Sequence, residues 1–343
     1  MSNALQRLQD LEPSTQEFRD AVLAGLDQAQ KSLPCKFFYD AEGSRLFDRI
    51  CELPEYYPTR TELKLLADRA GEIARLIGPH ARLVEFGSGA GVKIRLLLDA
   101  LDRPTAYVPV DISRDHLMMA TADLARDFPS LQIAPICADY TKPFALPAPA
   151  GVHPETTVGF FPGSTIGNFT PAEARGFLSR ARKLLGPGSA MLIGVDLRKD
   201  ESILVPAYDD AAGVTAAFNL NLLVRINREL DGDFALEQFA HEARWNAELG
   251  RIEMHLVSRS AQEVRIGRHR FGFAAGETIH TENSHKYTLD QFRALAIEAG
   301  YRPRAAWTDE AGLFSVHMLD AGQPIPASPP ILENQAHCPR VVP

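Results

Sequence analysis

Short runs of consecutive apolar residues alternate, through the middle of the chain, with longer segments whose apolar residues recur every three to four positions. Arg82 to Phe86, Ala106 to Val110, Leu131 to Cys137, Thr157 to Phe161 and Ala190 to Val195 have the length and unbroken hydrophobicity of strands buried on both faces. Helical patterns separate them, beginning with Val92 to Leu101. From about Leu63 to Arg198 this alternation predicts one doubly wound parallel sheet. After Asp196 the pattern changes. Ala211 to Leu230 reads as a helix, and Gln238 to Val257 as two strands around Asn246-Ala-Glu-Leu-Gly250, with Ile252, Met254 and Leu256 on one face. Val264 to Ile266 and Thr278 to Tyr287 are further strand candidates, so this segment is expected to be an antiparallel α+β insert. Thr288-Leu-Asp-Gln291 is a capping box for a helix running to Ala299 and stopped by Gly300. Trp307 and Gly312 to Leu319 then supply a closing hairpin, completing a seven-stranded sheet.

The first sixty residues differ again. A helical stretch precedes Phe37-Phe-Tyr-Asp40, and Leu53-Pro-Glu-Tyr-Tyr-Pro-Thr-Arg60 is an aromatic cluster that its two prolines are expected to hold in extended or turn geometry. Such a cluster ahead of the sheet suits either a core or a lid over a substrate. The proline-rich tail after Ala321 is expected to be disordered.

The ends of the buried strands carry the chemistry. The first runs into Glu85-Phe-Gly87-Ser-Gly89-Ala-Gly91, and glycine is needed where backbone must approach a ligand closely. Val92 stands where a dinucleotide fingerprint requires its third glycine, and no Gly-Lys-Ser/Thr triplet occurs, so neither NAD, FAD nor a nucleoside triphosphate is indicated. S-adenosylmethionine fits better, since it carries a sulfonium, an ammonium, a carboxylate and a ribose but no phosphate. Glu85, Gly87, Ser88, Gly89 and Lys93 form the candidate cradle. Asp111 closes the second strand as an acceptor for the ribose hydroxyls, and Asp139-Tyr140 closes the third as an adenine acceptor with an aromatic face. Each acid alone could be a helix cap; three strand ends in this order favour the cofactor.

Composition narrows the choice further. The chain has 343 residues, 45% of them hydrophobic, with net charge −8 and dispersed basic residues, which suits a globular enzyme and gives no footprint for nucleic acid or an anionic membrane. No apolar stretch approaches the ~20 residues of a membrane span and no leader is evident, so a cytoplasmic protein is expected. Cys35, Cys51, Cys137 and Cys338 lack metal or redox spacing. His241-Glu242 is followed by Trp245 rather than a second histidine, and His280-Thr-Glu282 by no Cys-x-x-Cys, so no metal is expected. The fourth strand ends in Phe160-Phe-Pro-Gly163, not in the Asn/Asp-Pro-Pro-Tyr type used on flipped bases.

Beyond the generic core, Tyr39-Asp-Ala-Glu-Gly-Ser-Arg-Leu-Phe47, Leu53 to Arg60, Gly163-Ser-Thr-Ile-Gly-Asn168, Ala207-Tyr-Asp-Asp210 and Thr281-Glu-Asn-Ser284 resemble the ergothioneine-pathway histidine Nα-methyltransferases, relatives of the fungal dimethylallyltryptophan N-methyltransferase. The likeness covers about Ser32 to Leu319. It implies a class I methyltransferase of the Rossmann-like α/β type, with residues 61–198 and 287–320 binding S-adenosylmethionine and residues 1–60 and 199–286 forming an α+β substrate domain. It implies that Gly87, Lys93, Asp111, Asp139 and Tyr140 hold the cofactor, and that Tyr56, Asn168, Tyr208, Glu282 and Ser284 hold free L-histidine, with Gly163 and Met254 lining the pocket. Tyr39 and Tyr56 are the candidate catalytic partners of the amine. Asn283, also a candidate substrate-binding residue, replaces a position often apolar in the family, and strand alternation turns it away from Glu282 and Ser284. The expected reaction is Nα-methylation of histidine, three times over to hercynine, by a monomer. The competing readings are methylation of another amino acid, tryptophan-like or histidine-derived, and non-catalytic binding of the cofactor.

Overall fold

The structure is a computed structural model that describes residues 5–148 and 153–322, so the expected tail lies outside the described residues. Its strands are β1 Gln9–Leu11, β2 Arg82–Phe86, β3 Ala106–Asp111, β4 Gln132–Ile133, β5 Ile136–Ala138, β6 Thr157–Phe161, β7 Ala190–Asp196, β8 Phe239–Asn246, β9 Arg251–Ser258, β10 Gln262–Ile266, β11 His269–Phe273, β12 Thr278–His285, β13 Tyr301–Thr308 and β14 Phe314–Ala321. The helices are α1 Thr15–Leu26, α2 Ala41–Glu52, α3 Tyr57–Ile77, α4 Val92–Ala100, α5 Arg114–Asp127, α6 Pro171–Leu185, α7 Glu201–Leu204, α8 Val214–Leu230 and α9 Leu289–Glu298.

The main sheet runs β1-β5-β3-β2-β6-β7-β14-β13, with β4 also paired to β3. It is parallel from β1 to β7 and antiparallel through β14 and β13. The expected seven strands are present in methyltransferase order. Two more short ones make nine, because β1 adds to the open edge of β5 and the expected third strand is split into β4 and β5, with Pro135 between them. Proline cannot donate to a ladder, which accounts for the break. All seven residues of β7 are buried, as are the first five of β3, as expected of strands covered by helices on both faces. The chain builds outward from β2 to β5, then restarts at β6 on the other side of β2. The crevice at the carboxyl ends of β2 and β6 is therefore the switch point where such sheets bind ligands.

The insert is a three-stranded antiparallel sheet, β12-β9-β8, and a β10-β11 ribbon packed with α8. Its core is continuous with the N-terminal segment: Phe18, Phe37, Phe38, Leu46, Tyr56 and Tyr57 share one cluster with Phe218, Met254 and Ile279. One expectation is corrected. Tyr57 to Arg60 are not extended but form the first turn of α3, because Pro58 sits where a helix does not need its N–H. Helix α3 consequently runs through the expected 60/61 boundary. The capping box at Thr288 and the stop at Gly300 (φ 87°) are as expected.

Candidate active site

The glycine turn is built as the cradle requires. Gly87, Gly89 and Gly91 have φ of 76°, 49° and 71°, and nothing would meet a Cβ on Gly89 within 4 Å, so its outer side is open to a ligand. Asp111 braces the turn by accepting from Gly89 N (3.2 Å) and from Ser113 N (2.9 Å). Burial pushes its carboxyl above the ordinary range, and the two oxygens retain lone pairs for further donors. Ser88 Oγ is buried in the cradle without a partner. Tyr140 lies 3.8 Å from the Cβ position of Gly87, in an aromatic cage with Phe86, Phe161 and Phe177. An open glycine turn, an orphan hydroxyl and a strand-end carboxylate suit the ribose and amino-acid parts of S-adenosylmethionine.

Three expected cofactor residues have additional commitments. Lys93 pairs with Glu62 at 2.6 Å. Asp139 accepts from Lys36 (2.8 Å) and from Thr141, and although burial opposes it, these partners hold its carboxyl below the usual range. Glu85 faces the Tyr107 hydroxyl, and burial raises it to about 8.

Glu62, on the buried stripe of α3, was not anticipated. It is fully buried, accepts from Gly163 N at 2.8 Å and so ties α3 to the strand-four turn as well as to Lys93. A Cβ on Gly194 would lie 2.0 Å from its Oε1. Gly194→Ala is expected to lower unfolding stability by about 2–3 kcal/mol, the cost of overpacking against a buried group, measurable by urea titration.

The second half of the site lies on the insert. The β12-β9 register slips between His280 and Glu282. Before this bulge Ile279 pairs with the buried Leu256; Thr281 is the unpaired residue within it; after it Glu282 and Ser284 pair with the buried Met254 and Ile252 on that same side. The bulge thus turns Glu282 to the inner face, opposite Met254 in the ladder. There its charge acts on Cys35, Tyr39 and Tyr56. Burial raises the Glu282 carboxyl to about 7, with Lys286 opposing. Ring centroids step from Tyr39 to Phe47 (5.7 Å), Phe47 to Tyr56 (6.3 Å) and Tyr56 to Tyr208 (6.1 Å), forming an aromatic wall in which Phe47 was not foreseen. Tyr208 Oη is 2.7 Å from Ser284 Oγ.

Behind this pair is a buried network. Lys286 donates to Tyr208 (2.7 Å) and Ser284 (2.8 Å) and pairs with Asp196 (2.7 Å), which also holds Lys199 (2.5 Å) and the Tyr57 hydroxyl (2.7 Å). Two lysines against one aspartate leave a net positive charge behind Tyr208, suited to a carboxylate in front of it. Although burial opposes it, Asp196 holds the Lys286 ammonium above its ordinary value, while burial brings Lys199 down to about 8. The strand-four turn closes the site. Gly163 and Ser164 have φ of 79° and 56°, Ser164 Oγ accepts from Asp196 N (2.9 Å), and Gly167 packs against the His285 backbone, carrying Asn168 at the end of a 3-10 turn.

A cavity of about 360 Å³ lies between the N-terminal segment, α8 and the loop after Asp111, lined by Lys36, Tyr39, Asp40, Ile112, Ser113 and Arg225 among others; of the expected site residues it takes in Tyr39 alone. Asn283 is not in this group. It lies beside Glu253 on the other face, where Glu253, His255 and His280 place ligand-type atoms within 4.8 Å of one another. That carboxylate is paired with Arg251 at 2.7 Å and the two imidazoles stack at 4.8 Å. No helix among the described residues is long and apolar enough to cross a membrane.

Residues 18–321 match the model of a family described as histidine-specific methyltransferase, SAM-dependent. The chain is 45% identical over 311 residues to a histidine N-alpha-methyltransferase of Mycolicibacterium smegmatis, covering 89% of this chain and 95% of that one. It is 32% identical to ergothioneine biosynthesis protein 1 of Neurospora crassa, over 84% of this chain and 33% of that protein. Among solved structures it is similar to an S-adenosylmethionine-dependent methyltransferase from Clostridium acetobutylicum, with TM-score 0.44 and 9% identity, covering 76% and 92% of the two chains.

Proposed function

The chain belongs to the histidine-specific, S-adenosylmethionine-dependent methyltransferases, and from that premise we propose how its residues divide the work. The reaction is methylation of the α-amino nitrogen of free L-histidine for ergothioneine biosynthesis. The observation that supports the division is the inward-turned Glu282 on the strand of the Ser284–Tyr208 pair, its charge acting on Tyr39 and Tyr56, with Tyr39 in electrostatic reach of Tyr140 at the cradle.

S-adenosylmethionine, when bound, supplies an electrophilic methyl on a sulfonium. Gly87, Ser88, Gly89, Lys93, Asp111, Asp139 and Tyr140 would hold it, with Glu85 bracing the turn from below through Tyr107. Asn168 and the Tyr208 hydroxyl bind the histidine carboxylate, Glu282 and Ser284 bind the imidazole, and Met254 and Gly163 bound the ring. The amine must be neutral to attack. Tyr39 and Tyr56, both kept protonated by burial, orient it by hydrogen bonding and do not act as ionised bases. The wall of Tyr39, Phe47 and Tyr56 presents π faces and edges to the nitrogen as it becomes cationic, an environment that tolerates a growing ammonium through three rounds of transfer. Residues 15–60 with 199–286 act as the substrate domain and the remainder of the described chain, β1 in its sheet included, as the cofactor domain.

Incubation with S-adenosylmethionine and each free amino acid, followed by mass spectrometry, tests this. Histidine alone is expected to gain mass, up to three methyl groups. Preferential labelling of tryptophan or a histidine derivative would replace the substrate assignment. Tight cofactor binding with no product from any amino acid would indicate a binding protein instead.

A further inference from the structure

Lys286 has three protons and three acceptors, Asp196 Oδ2 at 2.7 Å, Tyr208 Oη at 2.7 Å and Ser284 Oγ at 2.8 Å, and its side chain is fully buried. Both hydroxyl oxygens therefore accept from the ammonium. They are also bonded to each other at 2.7 Å, which consumes one of their two protons. A single hydroxyl proton is left for any ligand. If Tyr208 donates to Ser284, Tyr208 has nothing to offer a carboxylate. If Ser284 donates to Tyr208, the tyrosine proton is free for the carboxylate and Ser284 turns only a lone pair to the ring.

We propose that Lys286 is a positioning residue that, by donating to both oxygens, holds the Tyr208–Ser284 bond together and so limits the pair to one free proton; a substrate whose carboxylate takes that proton from Tyr208 has its ring held between two acceptors, Ser284 and Glu282, and is bound with one additional proton shared between the ring and Glu282. This rests on the histidine assignment above and adds to it: the pocket selects a heterocycle with two polar nitrogens, both of which become N–H donors or share the Glu282 proton. An indole offers one N–H and no second nitrogen, and a neutral ring beside an ionised Glu282 leaves one nitrogen lone pair facing an oxygen lone pair.

The surroundings allow the shared proton. Glu282 faces Tyr39 and Cys35 from the segment before α2, Tyr56 from the segment before α3, Tyr208 through the Tyr56 contact, and Lys286 from the end of its own strand. Burial keeps the tyrosines and the Cys35 thiol uncharged near neutrality, so Lys286 is the only fixed charge among them. With Glu282 titrating at about 7, the empty site is mostly deprotonated at pH 8 and mostly protonated at pH 6.

The test is proton uptake on binding, measured by calorimetry in buffers of different ionisation enthalpy. The enzyme is loaded with S-adenosylhomocysteine and the ligand is Nα,Nα,Nα-trimethylhistidine, whose quaternary nitrogen cannot titrate. Uptake approaching about one proton is expected near pH 8, falling as the pH drops toward 6. Lys286→Met, which lets the Tyr208–Ser284 pair separate and so frees Ser284 to donate to the ring, is expected to reduce that uptake along with affinity, whereas loss of a merely structural contact would weaken binding and leave uptake unchanged. Wild-type binding without uptake near pH 8 overturns the proton-directing role and leaves the substrate assignment standing. Unchanged uptake in a folded Lys286→Met overturns the role of Lys286. If that variant does not fold, the wild-type titration decides alone. No binding of histidine or its betaine, with the cofactor bound, overturns the substrate assignment and this inference with it.

Discussion

Glu282→Ala is expected to lower kcat/KM for histidine by roughly 10²–10³ while cofactor affinity stays within about twofold. The carboxylate is the only acidic group on the inner face of β12, and the ring nitrogen it binds has no alternative partner there except water admitted by the truncation. Losing a charge-assisted hydrogen bond costs about 1.5–3 kcal/mol, and leaving the substrate N–H imperfectly paired adds to it. Misfolding is separable from this loss. The folded carboxyl titrates at about 7, above the ordinary value of 4.5, so the ionised form costs stability that grows as pH rises through this interval. The alanine variant should therefore be at least as stable as wild type at pH 8, which thermal unfolding checks. Near wild-type turnover of histidine by a stable Glu282→Ala would sink the proposed grip.

The way Glu282 reaches the site marks where sequence reasoning succeeds and where it stops. That Glu282 and Ser284 share a side follows from alternation, and both lie after the bulge, so the inference survives it. That this side is the inner one does not follow. Continuing the alternation of Ile279 and Thr281 without the extra residue would turn Glu282 outward with His280, and no local residue pattern announces the slip. The parallel strands were plain for the opposite reason. Strands β3 and β7 are buried on both faces, so their sequences carry no polar residue until the terminal aspartate that belongs to the site. The third strand was misdrawn as one piece because its apolar residues continue across Pro135, although the ladder cannot.

The residues that sequence reasoning missed are those whose meaning depends on a distant partner. Glu62, Lys199 and Lys286 are charged and read locally as surface residues, yet each is buried or nearly so against a partner far along the chain: Glu62 against Lys93, Lys286 against Asp196, and Lys199 against the Tyr57 hydroxyl as well as Asp196 three positions before it. A faint signal existed for Glu62, which falls in line with Pro58, Leu65 and Leu66 on the apolar stripe of α3. Lys286 continues the two-residue spacing of Glu282 and Ser284. Tyr57 was visible as an aromatic in a Pro-bounded cluster, but its hydroxyl's role as a donor to Asp196 required the fold. Pro58 misled in the other direction: it is a breaker inside a helix and a favourable residue in the first turn, and only the burial of Tyr57 and Glu62 decides between them.

Asp111→Ala should weaken S-adenosylmethionine binding by roughly 10²–10⁴. Two ribose hydroxyls donating to one carboxylate are worth about 1.5–3 kcal/mol each, and the same carboxylate braces the turn through Gly89 N and Ser113 N. Asp111→Asn should fall between, because an amide keeps one acceptor but presents N–H₂ to backbone donors. Stability should change little. Burial raises the folded pKa of Asp111, so its ionised form costs stability above the ordinary carboxylate range, and removing it offsets the lost backbone bonds. The loss should also be of a different kind from that at Glu282. At saturating cofactor the histidine KM of Asp111→Asn is expected to approach the wild-type value, since the aspartate touches the donor and not the acceptor. Titration of the cofactor by calorimetry and of histidine at saturating cofactor separates the two. A histidine KM that stays high when the cofactor is saturating would mean that the strand-end carboxylate shapes the substrate pocket through Ser113 and its 3.2 Å contact with Ser44 on α2, and that the two halves of the site are coupled at that seam.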